Sequence, residues 1–220
     1  MKFTCPLLEG EHVRLEPLER AHTPGLAAAA GQELGLYQWS FVPLTLAEMA
    51  RYVDTATRER EGGTALPFAT VRRADGVVIG STRFFDIERW AWPAGHPQAK
   101  RPGPDACEIG YTWLARDAIR TAANTEAKLL MLTHAFEVWN AQRVCFHTDA
   151  RNEHSRASLT RLGARFEGVL RAHRLAADLT PRDSARFSIV AAEWPAVKGR
   201  LRERLTAHGV PLPGAGGQGR

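Results

Sequence analysis

Between Ala115 and Asn124 the chain reads ARDAIRTAAN, and this turn gathers the residue types best suited to hold an anion. A strand, EIGYTWLA (Glu108–Ala115), runs into the turn and an apolar helix leaves it. The first N–H groups of that helix lack intrahelical partners, and the helix dipole adds positive potential at the same end. Arg116 and Arg120 add full charges, and Thr121 and Asn124 add short polar side chains. The plainer alternative is that Arg120 and Thr121 only begin a solvated helix. Histidine is the side-chain type best suited to proton transfer near neutral pH, which makes His147 and His173 candidates, although a histidine on a strand is also an ordinary structural residue. The three cysteines, Cys5, Cys107 and Cys145, are odd in number and widely spaced, which fits neither a disulfide framework nor a zinc site. Cys145 lies in an apolar strand and reads as a small buried residue.

Whole-chain properties narrow the partners. The net charge of +5 suits nucleic acid or a polyanionic small molecule, but the charge is mostly arginine without a consecutive basic block, which disfavours nucleic acid. Apolar residues make up 44% of the chain, enough for a sizeable core in a single domain of 220 residues. No apolar run approaches the ~20 residues that span a bilayer, and MKFTCPLLEGEHVRLEPL lacks the core of a signal peptide, so a reduced cytoplasmic setting is expected.

The elements that must position these residues follow from pattern. His12–Leu18 alternates as a strand, and an alanine-rich helix runs from about His22 to Ala30. Thr45 and Glu48 form a capping box for a helix that stops at Gly62-Gly63. Leu66–Arg73 and Gly76–Ile87 form a hairpin across Ala-Asp-Gly. The segment from Glu88 to Asp105, with Trp90 and Trp92, is expected to be a long loop, either functional and mobile or a plain insertion. A helix over Ala122–Trp139 carries two apolar faces and should be buried from two directions. Arg143–Ala150 is a strand, and Asn152 caps a helix that closes at Gly163. ARFEGVLRAHRL and SARFSIVAAEW are the last strands, WPAVKGRLRERL is a terminal helix, and GVPLPGAGGQGR is a flexible tail. This order predicts a mixed sheet with helices on both faces, in one domain over residues 1–208 with a tail over 209–220.

Four motifs then carry a resemblance: EIGYTWLAR at Glu108, NTEAKLLMLTHAFE at Asn124, RNEHSRASLTRLGARFEGVLR at Arg151 and EWPAVK at Glu193. Over roughly His12–Leu205 the chain resembles the GCN5-related N-acetyltransferases, in the branch of the bacterial ribosomal-protein N-acetyltransferases. The resemblance implies the acyl-CoA N-acyltransferase fold: an α/β (α+β) domain built on a single mixed, mostly antiparallel sheet. It implies acetyl-CoA as cosubstrate, a primary amine on a small molecule or peptide as acceptor, and a homodimer; with no cysteine suitably placed for a covalent intermediate, direct transfer in a ternary complex is expected. A catalytically inactive acyl-CoA-binding sensor of the same fold is the alternative.

Carried onto this sequence, the cosubstrate contacts fall on Trp113, Leu114, Ala115, Arg116, Arg120, Thr121, Ala122, Ala123, Asn124, Thr125, Asn152 and Ser155. The family's phosphate loop normally contains glycine, whereas this stretch from Arg120 reads RTAANT. Alanine there is tolerable if Ala122 and Ala123 take helical dihedrals. A backbone N–H at the Trp113–Ala115 strand end is expected to meet the oxyanion. No tyrosine stands in residues 152–162, so Ser155 becomes the candidate donor to the departing sulfur, or a cosubstrate contact.

Aminolysis of a thioester makes unequal demands. A lysine-like amine of pKa about 10.4 is neutral in roughly one molecule per 2,500 at pH 7, and an α-amino group in roughly a tenth or more. A base therefore matters most for side-chain amines. Glu108 is the first candidate, on the strand the resemblance places at the cleft. Glu167, Asp86, His147 and His173 are the alternatives. Tyr37, Trp39, Phe41, Trp90 and Trp92 are the aromatics that could wall an acceptor cleft.

Overall fold

The fold is given by a computed structural model that describes residues 3–31 and 33–207. The tail over 209–220 lies outside the described residues. The chain forms β1 (Leu8–Glu9), β2 (Val13–Pro17), α1 (Thr23–Ala30), α2 (Leu46–Gly62), β3 (Ala65–Arg72), β4 (Val78–Glu88) and β5 (Ala106–Leu114). It continues with α3 (Ala123–Thr133), β6 (Arg143–Asp149), α4 (Glu153–Leu162), β7 (Arg165–Leu175), β8 (Pro181–Val190) and α5 (Trp194–Ala207). Among the described residues no helix is long and apolar enough to cross a membrane.

Local chemistry sets the helix ends. Thr45 Oγ1 accepts from the Glu48 N–H at 3.2 Å, and the Glu48 carboxylate accepts from the Thr45 N–H at 3.3 Å, so two of the orphan donors at the start of α2 are satisfied. Gly63 closes α2 with φ 75° and Gly163 closes α4 with φ 100°, conformations that a Cβ would strain. The helix expected over Ala122–Trp139 is shorter than the pattern implied. Ala122 is its cap, and after Thr133 it widens into a π turn over His134–Val138. The widened turn brings Trp139 against Phe84 and His134, each with ring centroids 4.7 Å apart.

The eight strands lie in the order β1-β2-β3-β4-β5-β6-β8-β7, antiparallel except for β5 and β6. That one parallel pair organises the molecule. It holds for three residue pairs, Ala106↔Arg143, Cys107↔Val144 and Glu108↔Cys145, and then stops. Beyond it β5 runs on to Leu114 and β6 to Asp149, so the sheet splits into a wedge that opens toward the strands' C-terminal ends. α1 and α2 cover one face of β3–β5 through Leu26, Met49, Val53 and Trp113. α3 and α5 cover the other face, packing Met131, Leu132, Val197 and Leu201 against Phe84, Phe146 and Ile189.

Candidate active site

The wedge has two sides. On the α3 side the turn after β5 forms a short 3-10 segment, Arg116–Ala118. Arg120 then takes φ +63°, a left-handed conformation uncommon for a non-glycine residue. Ala122 is helical, and Ala123 is the first residue of α3, so the loop turns without glycine as expected. Thr121 braces it: its hydroxyl donates to Ala118 O at 2.7 Å and accepts from the Ala123 N–H at 3.2 Å. Arg116 is exposed and pairs with Glu33 at 2.9 Å, and Arg120 is exposed four residues on. Asn124 Oδ1 is buried without a partner at the first turn of α3. The exposed Arg120 guanidinium and the first N–H groups of α3 suit an anion here.

At the mouth, the Ala115 N–H donates to Ile79 O at 2.7 Å and so is engaged with β4. Alternate residues of a strand face opposite edges, which aims the Leu114 N–H and carbonyl at the open wedge. Tyr37 confirms the direction, donating its hydroxyl to Leu114 O at 3.0 Å. Of the Trp113–Ala115 strand end, Leu114 is the residue whose backbone faces the open wedge. Trp113 points away, buried in the α1/α2 core. Thr125 is buried on α3. Across the wedge, Asn152 Oδ1 accepts from the Ser155 N–H at 3.0 Å, holding Ser155 in the first turn of α4.

On the α2 side Glu108 sits at the last paired position of the split and is buried. Arg174 donates to its Oε2 at 2.9 Å and to Asp86 at 2.7 Å. His147 Nδ1 lies 2.9 Å from the same Glu108 oxygen but out of line for a hydrogen bond, and both nitrogens of this buried ring lack a hydrogen-bond partner. The His147 ring is 4.8 Å from that of His173, whose pKa is lowered by burial, then by His147 and Arg174. Phe85 and Tyr111 flank the group edge to face at 5.0 Å. Tyr111 has φ +51° at a bulge where Ser81 and Arg83 face Trp113 and Gly110.

The aromatic expectations divide. Tyr37 and Trp39 do belong to the mouth, with Trp39 5.0 Å from the Arg151 guanidinium across the wedge. Trp90 and Trp92 belong to the closed end, where β4 pairs Glu88 with Ala106. The loop that carries them is anchored: buried Asp105 accepts from the Trp90 N–H at 2.8 Å, from the Trp92 indole at 2.9 Å, and from Arg101. Glu167 is paired with Arg143 and accepts from Ser188 at 2.7 Å on the far edge.

Sequence reasoning missed Lys128. On α3 it is buried, with Nζ donating to Thr112 Oγ1 at 2.7 Å, and burial pushes its pKa down to about 7. Thr112 and Thr82 hydroxyls lie 2.8 Å apart beneath the Gly110–Tyr111 bulge, so the lysine braces it from below. The only signal was a cation in the otherwise apolar run Ala127–Leu132 of the helix.

The sheet thus splits at its one parallel pair, with an arginine-bearing, helix-opening turn on one side and buried ionisable groups on the other. The family model described as acetyltransferase (GNAT) domain matches residues 12–165, and the chain belongs to that family. It is accordingly an acetyl-CoA-dependent N-acetyltransferase. A GCN5-related N-acetyltransferase from Brucella melitensis is 31% identical, with 92% of this chain and 86% of that one covered at a TM-score of 0.79. Mycobacterium smegmatis RimJ in complex with CoA-disulfide shares the fold at 23% identity, over 90% and 89% of the chains, at a TM-score of 0.69. RimL, a ribosomal L7/L12 alpha-N-protein acetyltransferase in complex with coenzyme A, does so at 16% identity, over 84% and 98%, at 0.66. Among curated proteins none matches.

Proposed function

We propose that the enzyme acetylates a primary amine by direct transfer, with Glu108 as the base on the α2 side of the wedge. The observation that carries the reading is the position of Glu108, buried at the residue where β5 and β6 part. A buried carboxylate there can take the ammonium proton as the amine approaches. His147 and His173 lie beyond it toward the half-exposed edge, without an aligned hydrogen bond joining them to it. Acetyl-CoA supplies the acetyl group as a thioester. Arg116, Arg120 and the first N–H groups of α3 are suited to its phosphates, Asn152 and Ser155 to its arm, and Ser155 to the departing sulfur. Tyr37 and Trp39 narrow the mouth and limit water.

Direct transfer, rather than a covalent acyl-enzyme, is favoured by the cysteines. Cys107 is buried against α3 and burial raises its thiol pKa strongly. Cys5 is pushed up to about 12 by burial and donates to Pro67 O at 3.6 Å, outside the wedge. Cys145 does face the Glu108 side, but Arg143 and Arg186 close over its sulfur at 3.0 and 3.7 Å.

The ribosomal-protein neighbours support a protein N-terminus as one acceptor class. The test is thiol release from acetyl-CoA with a panel of peptide N-termini, polyamines and amino acids. Turnover above the hydrolysis background for at least one amine supports the reading. Tight acetyl-CoA binding with no turnover on any would favour the inactive sensor.

A further inference from the structure

The apolar cluster beneath α1 and α2 takes no residue from β6, β7 or β8, so among the described residues no helix-packed core covers the face of these strands that carries the Glu108 group. Ala185, Phe187 and Ile189 of β8 point the other way into the core shared with α5, so Arg182, Ser184 and Arg186 point to the Glu108 side. Register confirms it: Arg186 lies opposite His147, and Arg182 lies opposite Arg174. Arg174 and His147 are the two groups that touch Glu108.

The arginines on this face are not equally satisfied. Arg143 and Arg186 share Glu167, and Arg174 bridges Glu108 and Asp86. Arg182 alone of these four has no carboxylate at ion-pair distance among the described residues; its Nε donates to Ser184 Oγ at 3.0 Å. Its guanidinium is half-buried, which lowers its pKa, as does Arg174 directly across the strands, while Asp149 and Glu108 raise it from beyond ion-pair distance. Like charges facing each other across a sheet repel, and a half-buried cation that no carboxylate contacts directly recovers only part of its desolvation cost. Two neighbouring buried nitrogens, His147 Nε2 and Arg186 Nε, also lack aligned partners. A half-buried guanidinium that no carboxylate contacts directly, on the face that carries Glu108, is suited to receive an anion on the acceptor. Guanidinium pairs with carboxylate in a planar, two-bonded geometry.

We infer that the acceptor is an amine that carries a carboxylate, received by Arg182 at the edge of the wedge. The inference rests on the reading of the α2 side as the acceptor side. The carboxylate comes either from a free α-amino acid or from acidic side chains near a peptide N-terminus, and the same arginine serves both.

The test is equilibrium binding of matched probes to the whole protein with CoA present, so that no transfer occurs. One pair is alanine and alaninamide. The other is the peptide amides Ala-Glu-Glu and Ala-Gln-Gln. At least one acidic probe should bind tenfold or more tightly than its neutral twin, and the difference should shrink as salt is raised. Arg182→Gln should erase the ratio while leaving the neutral twin unchanged, and Arg182→Lys should keep part of it. The responding pair identifies the source of the carboxylate. Equal affinities within both pairs, no binding of any probe, or a ratio that survives Arg182→Gln would overturn the inference. Turnover of the same probes with acetyl-CoA separates the two claims. Acetylation without preference for the acidic twins defeats this inference alone, whereas a binding preference without acetylation defeats the proposed reaction alone.

Discussion

Two buried carboxylates lie 18 positions apart in the sequence, Glu108 on β5 and Glu126 on α3, and their surroundings differ in kind. Glu126 accepts three backbone N–H groups, from Glu11, His12 and Val13, at 2.7, 2.7 and 2.8 Å. Its carboxylate fills the turn between β1 and β2 so completely that a Cβ at Gly10 would come within 2.3 Å of it. Every contact is to rigid backbone, so the group holds a fold in place. Glu108 is as buried but is met by side chains only, Arg174 and His147, and it borders a gap in the sheet. A buried acid satisfied by main chain is structural. A buried acid among ionisable side chains at an opening has protons to exchange and room for a reactant.

That contrast can be broken by substitution. The largest stability effect should come from Glu126→Ala, which leaves three N–H groups unsatisfied in or near the core. Hydrogen bonds to a charged acceptor contribute about 1.5–3 kcal/mol each, so a loss of several kcal/mol is expected. Denaturant melts should show it, and turnover per folded molecule should stay near wild type. A loss of turnover with unchanged stability would place Glu126 in the chemistry instead.

A smaller effect sharpens the comparison at Lys128, the buried base on the same helix. Its folded pKa of about 7 lies below the ordinary lysine value of 10.5. Between those values the unfolded chain binds a proton that the folded chain does not, so stability rises with pH over that window and is lowest at and below about pH 7. Lys128→Met removes this dependence. The variant should be more stable than wild type near pH 7, by a few kcal/mol at most after the lost bond to Thr112 is counted. The gain should vanish by about pH 10.5. Stability curves that keep the same pH slope in both proteins would show that Lys128 is charged in the fold.

What could be read from the sequence was what local chemistry decides. Thr45 with Glu48, Gly63, Asn152 and Gly163 are the caps that the residue types announce. The glycine-free turn kept its shape because Ala122 and Ala123 are helical, while Arg120 accepted the left-handed conformation that glycine would take. What escaped depends on distant partners. The placement of β8 between β6 and β7 exposes the arginine face, and no periodicity in either strand encodes it. The anchoring of the Trp90–Trp92 loop requires Asp105 to meet donors up to fifteen residues earlier. The burial of Lys128 follows from the fit of α3 over Thr82 and Thr112, which helix amphipathicity does not reveal.

The central claim is that Glu108, and not the surface it resembles chemically, is the base at the split. Its most direct test is the pH dependence of turnover in wild type and Glu108→Gln, with acetyl-CoA affinity measured by calorimetry on the same samples. The account predicts that the variant binds acetyl-CoA as wild type does and loses about 10²–10⁴-fold in kcat/KM near pH 7, the range typical of a lost general base. Part of that loss should be recovered as pH rises and the amine deprotonates by itself. Near-wild-type turnover at pH 7 in a variant that binds acetyl-CoA normally would contradict it.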